Sequence, residues 1–268
     1  MTRLLGQHTL EQTGSTTVVS FTTQGTETWP AWNRFLCIEG KPAYEIGNIC
    51  NTCAFYFERL DGASQSIHSH AIIEQLNQGL GTLSPDTLAS VLPIIPNGRY
   101  HVALLEVFPK LVTLGGAQDY FAQEQVEVWG IDGFYGLPHH PKVPYYRGTD
   151  TPLQKEQKAF EFLVPLFPPS WLDSERVAHY RTEIEKGGTP TAVALSVLDV
   201  KGPAWLDETG TVPPYTEHWC LAHYIMDGHH KMYAASLVQK PIHLLAFIAL
   251  DECIVENPND VATLLMAV

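Results

Sequence analysis

The chain has no long apolar run, no basic surplus and little cysteine. No stretch of its 268 residues approaches the ~18 consecutive apolar residues a membrane-spanning helix requires. The opening "MTRLLGQHTLEQTGSTT" lacks the apolar segment of a secretory signal. Both absences lead to the expectation of a cytoplasmic protein with no membrane partner. Lys and Arg number 16 against 29 Asp and Glu, for a formal net charge of −13. The deficit is evenly spread, with 8 basic and 14 acidic side chains in residues 1–150 and 8 and 15 in residues 151–268. Neither part offers the clustered cations from which phosphate-backbone affinity arises, so extended nucleic-acid binding is not expected. Cys37, Cys50, Cys53, Cys220 and Cys253 are odd in number and sparse for a disulfide-stapled secreted module. Internal repeats and low-complexity tracts are also missing.

What is present is an ordinary globular composition, 45% hydrophobic and 17% charged, enough for one large or two modest cores. "STTVVSFTT", "RFLCIEGKPAYEIG" and "CAFYFERL" are short β-branched and aromatic runs between Gly and Pro, which predicts strands. "HAIIEQLNQGLG" and "SPDTLASVLP" have helical spacing, the second with Ser84 as cap and Pro85 at the first helical position. "RYHVALLEVF" fits strand or helix, and the Gly-, Pro- and aromatic-rich segment "VEVWGIDGFYGLPHHPKVPYYRGTD" is a long loop of the kind that covers a site or links domains. "DSERVAHYRTEIEKGG" is a helix stopped by Gly187 and Gly188. "TPTAVALSVLDV", "HWCLAHYIMD" and "IHLLAFIALDE" are buried strands, with "HKMYAASLVQ" a helix between the last two. The expected fold is α+β, a mixed sheet with helices. A β-rich domain over 1–150 would be followed by a second domain over 151–268, with a hinge near 145–170 where "PYYRGTDTPLQKEQ" and "PLFPPSW" gather turn residues.

One segment carries chemistry. In "IMDGHHKMYAA" a strand ends at Asp227, Gly228 supplies conformational freedom, and a helix opens. The first N–H groups of that helix lack intrahelical partners and sit at the positive end of its dipole, which suits an anion, phosphate above all. Lys231 would add a positive charge, His229 and His230 further donors or a general acid/base, and Asp227 a carboxylate for a proton or a metal. The bland alternative is that Asp227 caps the helix and the histidines are incidental.

"DGHHK" at 227–231 followed by "AAS" at 234–236 resembles the turn of the ParB and sulfiredoxin-like superfamily, with Lys231 where Arg is commoner. "EIEKGGTPTAVALSVLDV" upstream and "KPIHLLAFIAL" downstream are similar to the segments flanking that turn, so the resemblance covers roughly residues 173–252. It implies a ParB/sulfiredoxin-like C-terminal half that binds nucleotide phosphates through Gly228, His229, His230 and Lys231; the side-chain chemistry of Asp227, His229, His230 and Lys231 makes these the candidate catalytic set. Members include sulfiredoxins, nucleotide-hydrolysing partition proteins and free-serine kinases. The turn has no cysteine where sulfiredoxins carry theirs, and no helix-turn-helix follows, so sulfinic-acid repair and partition-type DNA binding are not implied.

Two metal sites are also expected. Cys50-x-x-Cys53, with His68 and His70 downstream, fits a zinc clamp; a dithiol and plain core cysteines are the other readings. Asp199 would share a sheet edge with Asp227 if their strands ran parallel, and the two carboxylates would then hold magnesium. His223 should face inward with Trp219, Leu221 and Ile225 as a satisfied core residue, and His139 and His140 belong to a rigid loop that would be able to fold over residues 227–231. The resulting functional expectation is a nucleotide-dependent phosphotransferase or nucleotide hydrolase using ATP or another nucleotide, Mg2+ and a small-molecule acceptor. The alternative is a non-catalytic, Zn2+-stabilised partner-binding protein.

Overall fold

Alternating or near-continuous apolar residues, broken by capped helices, lay out the chain. The computed structural model describes residues 2–29, 32–48, 55–60, 62, 73–116, 118–154, 156–202 and 215–268. In order, β1 (Arg3–Gln12), β2 (Val19–Gln24), β3 (Asn33–Ile38), β4 (Lys41–Asn48) and β5 (Glu58–Arg59) precede two short helices, α1 (Ile73–Gln78) and α2 (Pro85–Val91). Ser84 caps α2 by accepting the Thr87 N–H at 3.1 Å, as its position before Pro85 predicts. "RYHVALLEVF" resolves as a strand, β6 (Gly98–Val107), followed by β7 (Lys110–Leu111) and α3 (Tyr120–Trp129), capped by Asp119. β8 (Tyr146–Pro152) and β9 (Gln157–Val164) lead into α4 (Ser174–Glu185), capped by Asp173 and ended at Gly187 with φ +98°. β10 (Thr191–Lys201), β11 (Glu217–Asp227), α5 (His229–Val238), β12 (Ile242–Ala249) and α6 (Asp260–Ala267) complete it.

Eight strands form one mixed sheet in the order β1-β6-β12-β10-β11-β9-β8-β7, and β2 to β5 form a second, antiparallel sheet. In the large sheet β10 and β12 are parallel, as are β11 and β9; the other neighbours are antiparallel. Only Phe108 and Pro109 separate β6 from β7, yet these strands stand second and last in the order. Three Cα steps reach at most ~11 Å, so the sheet curls until its last strand returns beside the end of β6. The fold is α+β, with six α-helices among the described residues.

Both faces of the large sheet are covered, which is why its central strands are apolar almost throughout. On one face Phe162, Leu195 and Tyr224 pack with Tyr44, Phe57 and Phe121 from the small sheet, the segment leading into it and α3. Phe57 stacks on Phe121 at 5.2 Å and meets Tyr145 edge-on at 5.3 Å. On the other face Ala194, Leu221 and Leu244 pack under α4, α5 and α6 through Ile184, Met232 and Leu264. A buried two-pronged ion pair crosses between the sheets: Arg34 on β3 meets Asp199 on β10 at 3.1 and 2.5 Å.

The expected boundary at residue 150 falls inside β8, and the large sheet takes β1, β6 and β7 from one side of it and β9 to β12 from the other. Residues 145–170, expected as a hinge, supply β8 and β9, adjacent strands of that sheet. Gly148 serves close approach there, because a Cβ would stand 1.9 Å from Glu161 Oε2.

Candidate functional site

β11 is buried along its length and emerges at Asp227, whose side chain is 33% exposed. Gly228 follows with φ +97° and ψ +20°, and a Cβ on it would lie 2.7 Å from the Cβ of Ala192 on β10. Left-handed backbone and close packing both demand glycine at this position. α5 then begins without a side-chain cap, whereas Ser84, Asp119 and Asp173 cap α2, α3 and α4. The first amide of the α5 segment to be satisfied by the turn is that of Met232, donating to Gly228 O at 2.9 Å.

The side chains of the turn are largely engaged inside the protein. His229 is buried, its Nε2 accepting the Leu166 N–H at 2.9 Å and its ring 4.9 Å from that of Phe167. An accepting Nε2 puts the proton of the neutral ring on Nδ1. Burial, then the neighbouring His230, pushes its pKa down to about 3, so it is neutral at physiological pH. His230 is partly exposed and accepts the Asp173 N–H at 3.1 Å. Burial and then Arg176 lower its pKa, against the opposing pull of Asp173 and Asp227. Lys231 is buried, donates to Thr191 O at 2.9 Å and stands 3.5 Å from Asp227 Oδ2. Burial lowers its pKa while Asp227 holds it up. Together the two histidines fasten the segment between β9 and α4 to the start of α5, and Lys231 ties α5 to β10.

The expected magnesium pair required parallel strands. β10 and β11 are antiparallel, with Val193 opposite Asp227 and Asp199 opposite Cys220. Six residues of strand, roughly 20 Å, therefore separate the two carboxylates, and the carboxylate of Asp199 is occupied by Arg34. Asp199 and Asp227 do not make a magnesium site. Cys50, Cys53, His68 and His70 lie outside the described residues. Among the described residues, no group of three or more His, Cys, Asp or Glu side chains is placed to hold a metal ion. His140 sits 3.6 Å from Glu58 and its ring 5.7 Å from that of Tyr56, beside the small sheet.

Sequence reasoning placed His223 inward as a satisfied core residue; the ring is buried with Nδ1 2.7 Å from Ser196 Oγ, but among the described residues its Nε2 has no hydrogen-bond partner. It did not find the rest of that line. Glu161 Oε1 stands 3.4 Å from His223 Nε2, and Glu161 Oε2 accepts from the Thr2 hydroxyl and the Thr149 N–H. Burial raises the Glu161 pKa, but the adjacent His223 and hydrogen bonds from Thr2 and Thr149 outweigh it and the net shift is downward. Ser196 and His223 are fully buried, so this is an internal polar seam rather than a nucleophile open to substrate. Two cavities, of about 420 and 680 Å³, share Lys110, Leu111, Gly148 and Asp150 at the β7–β8 edge, and no residue of the 227–231 turn lines either. Comparison with protein-family models, curated proteins and solved structures gives no significant match to this chain.

Proposed function

We propose that the chain binds a phosphate-bearing small molecule, foremost a nucleotide, at the N-terminus of α5, and acts as a nucleotide-dependent phosphotransferase or nucleotide hydrolase. The observation that carries this reading is the uncapped helix start: a strand-to-helix turn of the form DGHHK whose left-handed Gly228 stands at the N-cap, so that this position offers the first-turn amides no side-chain acceptor. The resemblance of residues 173–252 to nucleotide-binding members of the ParB/sulfiredoxin-like superfamily supports it. In this reading the backbone N–H groups of His229, His230 and Lys231 take phosphate oxygens, and the buried Lys231 charge favours an anion in front of them. Asp227, partly exposed beside the turn, is the group placed to accept a proton from an attacking hydroxyl or water. His229 acts by holding the turn, since its accepting nitrogen is already used. No step is routed through the Asp199–Asp227 pair, whose carboxylates stand six strand residues apart.

Calorimetry with ATP, ADP, CTP and GTP, with inorganic phosphate as competitor, tests the reading. Binding is expected in the wild-type protein, with Asp227→Asn retaining nucleotide affinity and losing turnover by about 10²-fold or more. Absence of binding at millimolar nucleotide overturns it.

A further inference from the structure

The segment after α3 is as tightly bonded as a designed turn and as apolar as a core. Of the eleven exposed large apolar side chains among the described residues, four lie here, Ile131, Phe134, Tyr135 and Leu137, next to a fifth, Trp129, at the end of α3. Phe134 is 86% and Tyr135 73% exposed. Such clustering differs from the single exposed apolar residues any surface carries.

Local hydrogen bonds fix the presentation. Ile131 bridges Pro138, the Asp132 N–H donates to Leu137 O at 2.8 Å, and the His139 N–H donates to Gly130 O at 3.1 Å. Asp132 Oδ1 accepts the Phe134 and Tyr135 N–H groups, each at 2.8 Å, which holds this carboxyl below its usual range. The two rings meet edge-on at 4.8 Å. At the base, Pro138 and Pro141 are buried and His140 packs on Trp129 and Tyr56. Little conformational freedom is left to lose when these rings are covered, and preorganised aromatics are the usual anchors of protein interfaces.

We propose that the hairpin from Gly130 to His139 is a docking element for a protein partner that offers an apolar pocket rimmed by Lys or Arg. Charge selects this occupant. The ionised Asp132 stands at the turn, the nearby Lys142 is already paired with Glu58 at 3.3 Å, and the chain carries −13 overall, so an anionic lipid surface or a second copy of the chain meets like charge. The proposal is independent of phosphate binding at α5.

Photocrosslinking of the full chain in its source cells tests it, with Tyr135→p-benzoylphenylalanine compared against Met266→p-benzoylphenylalanine on α6, also exposed. The expected result is one dominant adduct specific to position 135, attached at an apolar segment flanked by Lys or Arg. With that partner purified, Phe134→Ser and Tyr135→Ser should each weaken Kd by about tenfold or more, and added salt should weaken it further. Asp132→Ala, which releases the turn but keeps both rings, should weaken it several-fold. The proposal is overturned by adducts at 135 no more selective than those at 266, by adducts between two copies of the chain, by a Kd unchanged in Phe134→Ser, or by co-sedimentation with phosphatidylcholine or phosphatidylserine vesicles.

Discussion

Two Asp-Gly turns in this chain are followed by a pair of ring side chains, and their burial is the reverse of what polarity predicts. In Asp227-Gly228-His229-His230 the first ring is buried and the second partly so; in Asp132-Gly133-Phe134-Tyr135 both apolar rings stand in solvent. The difference lies in what each glycine meets. Gly228 has φ +97° and lies against Ala192, so the chain is pressed onto β10 and the histidines are carried into the protein, where backbone N–H groups of Leu166 and Asp173 satisfy them. Gly133 has open space around it, and the Asp132 carboxylate turns the chain outward using its own following amides. Neighbouring strands, more than residue polarity, decide which way such a turn faces.

The sharpest way to break the contrast is to add one methyl group to each glycine. Gly228→Ala forces an L side chain into left-handed backbone and into Ala192, and we expect a loss of roughly 3 kcal/mol. Gly133→Ala should stay within about 0.5 kcal/mol of wild type. Urea unfolding of the pair measures both, and equal losses would remove the argument that packing against β10 sets the turn.

Acid provides a second, smaller separation, because only the inward turn buries a neutral imidazole. The folded pKa of His229 is about 3 against an ordinary 6.5, so its contribution is fully present above pH 6.5 and is lost as pH falls toward 3. At pH 5 the expected loss from this residue is about 2 kcal/mol. His218, lowered by burial to about 4, acts in the same direction over the same window, whereas Glu161, with its folded pKa depressed, adds acid lability only below its ordinary value of 4.5. His229→Gln keeps an acceptor without a titrating group, and should flatten the fall in urea midpoint between pH 7 and 5. A fall as steep as wild type would show that His229 is not held neutral in the folded state.

Much of the second half was legible because its signals are local: apolar runs for β10, β11 and β12, the Asp173 cap and Gly187 stop for α4, and Gly228 before α5. β1 escaped because an edge strand with intermittent burial, "RLLGQHTLEQ", shows no clean alternation. α3 went unread over residues 120–125, and its last turn, from Val126, was taken into the Gly- and Pro-rich loop that follows; β8 escaped because Gly148 and Pro152 are also turn residues. The direction of β11 relative to β10 lies beyond any local pattern, since residues 202–216 are long enough for either sense; with it went the Asp199–Asp227 pair. At the candidate site the residue types were readable, but their employment was not. Which N–H His229 accepts depends on Leu166, 63 positions away, and the partner of Asp199 is Arg34, 165 positions away.

The smallest expected effect is also the one that most sharpens the comparison. Replacing Phe134 and Tyr135 together by serine removes two rings that contact little besides each other, so the apolar area withdrawn from water on folding hardly changes. The expected change in unfolding free energy is within about 0.5 kcal/mol. Asp132 accepts from backbone N–H groups that serine retains, and the Ile131–Pro138 bridge lies outside both positions, so the turn itself should persist. Thermal and urea unfolding measure this directly. A large loss would mean that the rings are packed in the folded protein and that their exposure is not available to a partner. An unchanged stability leaves these two aromatics with no role in folding, which is the condition under which their presence at the tip has to be accounted for by what they bind.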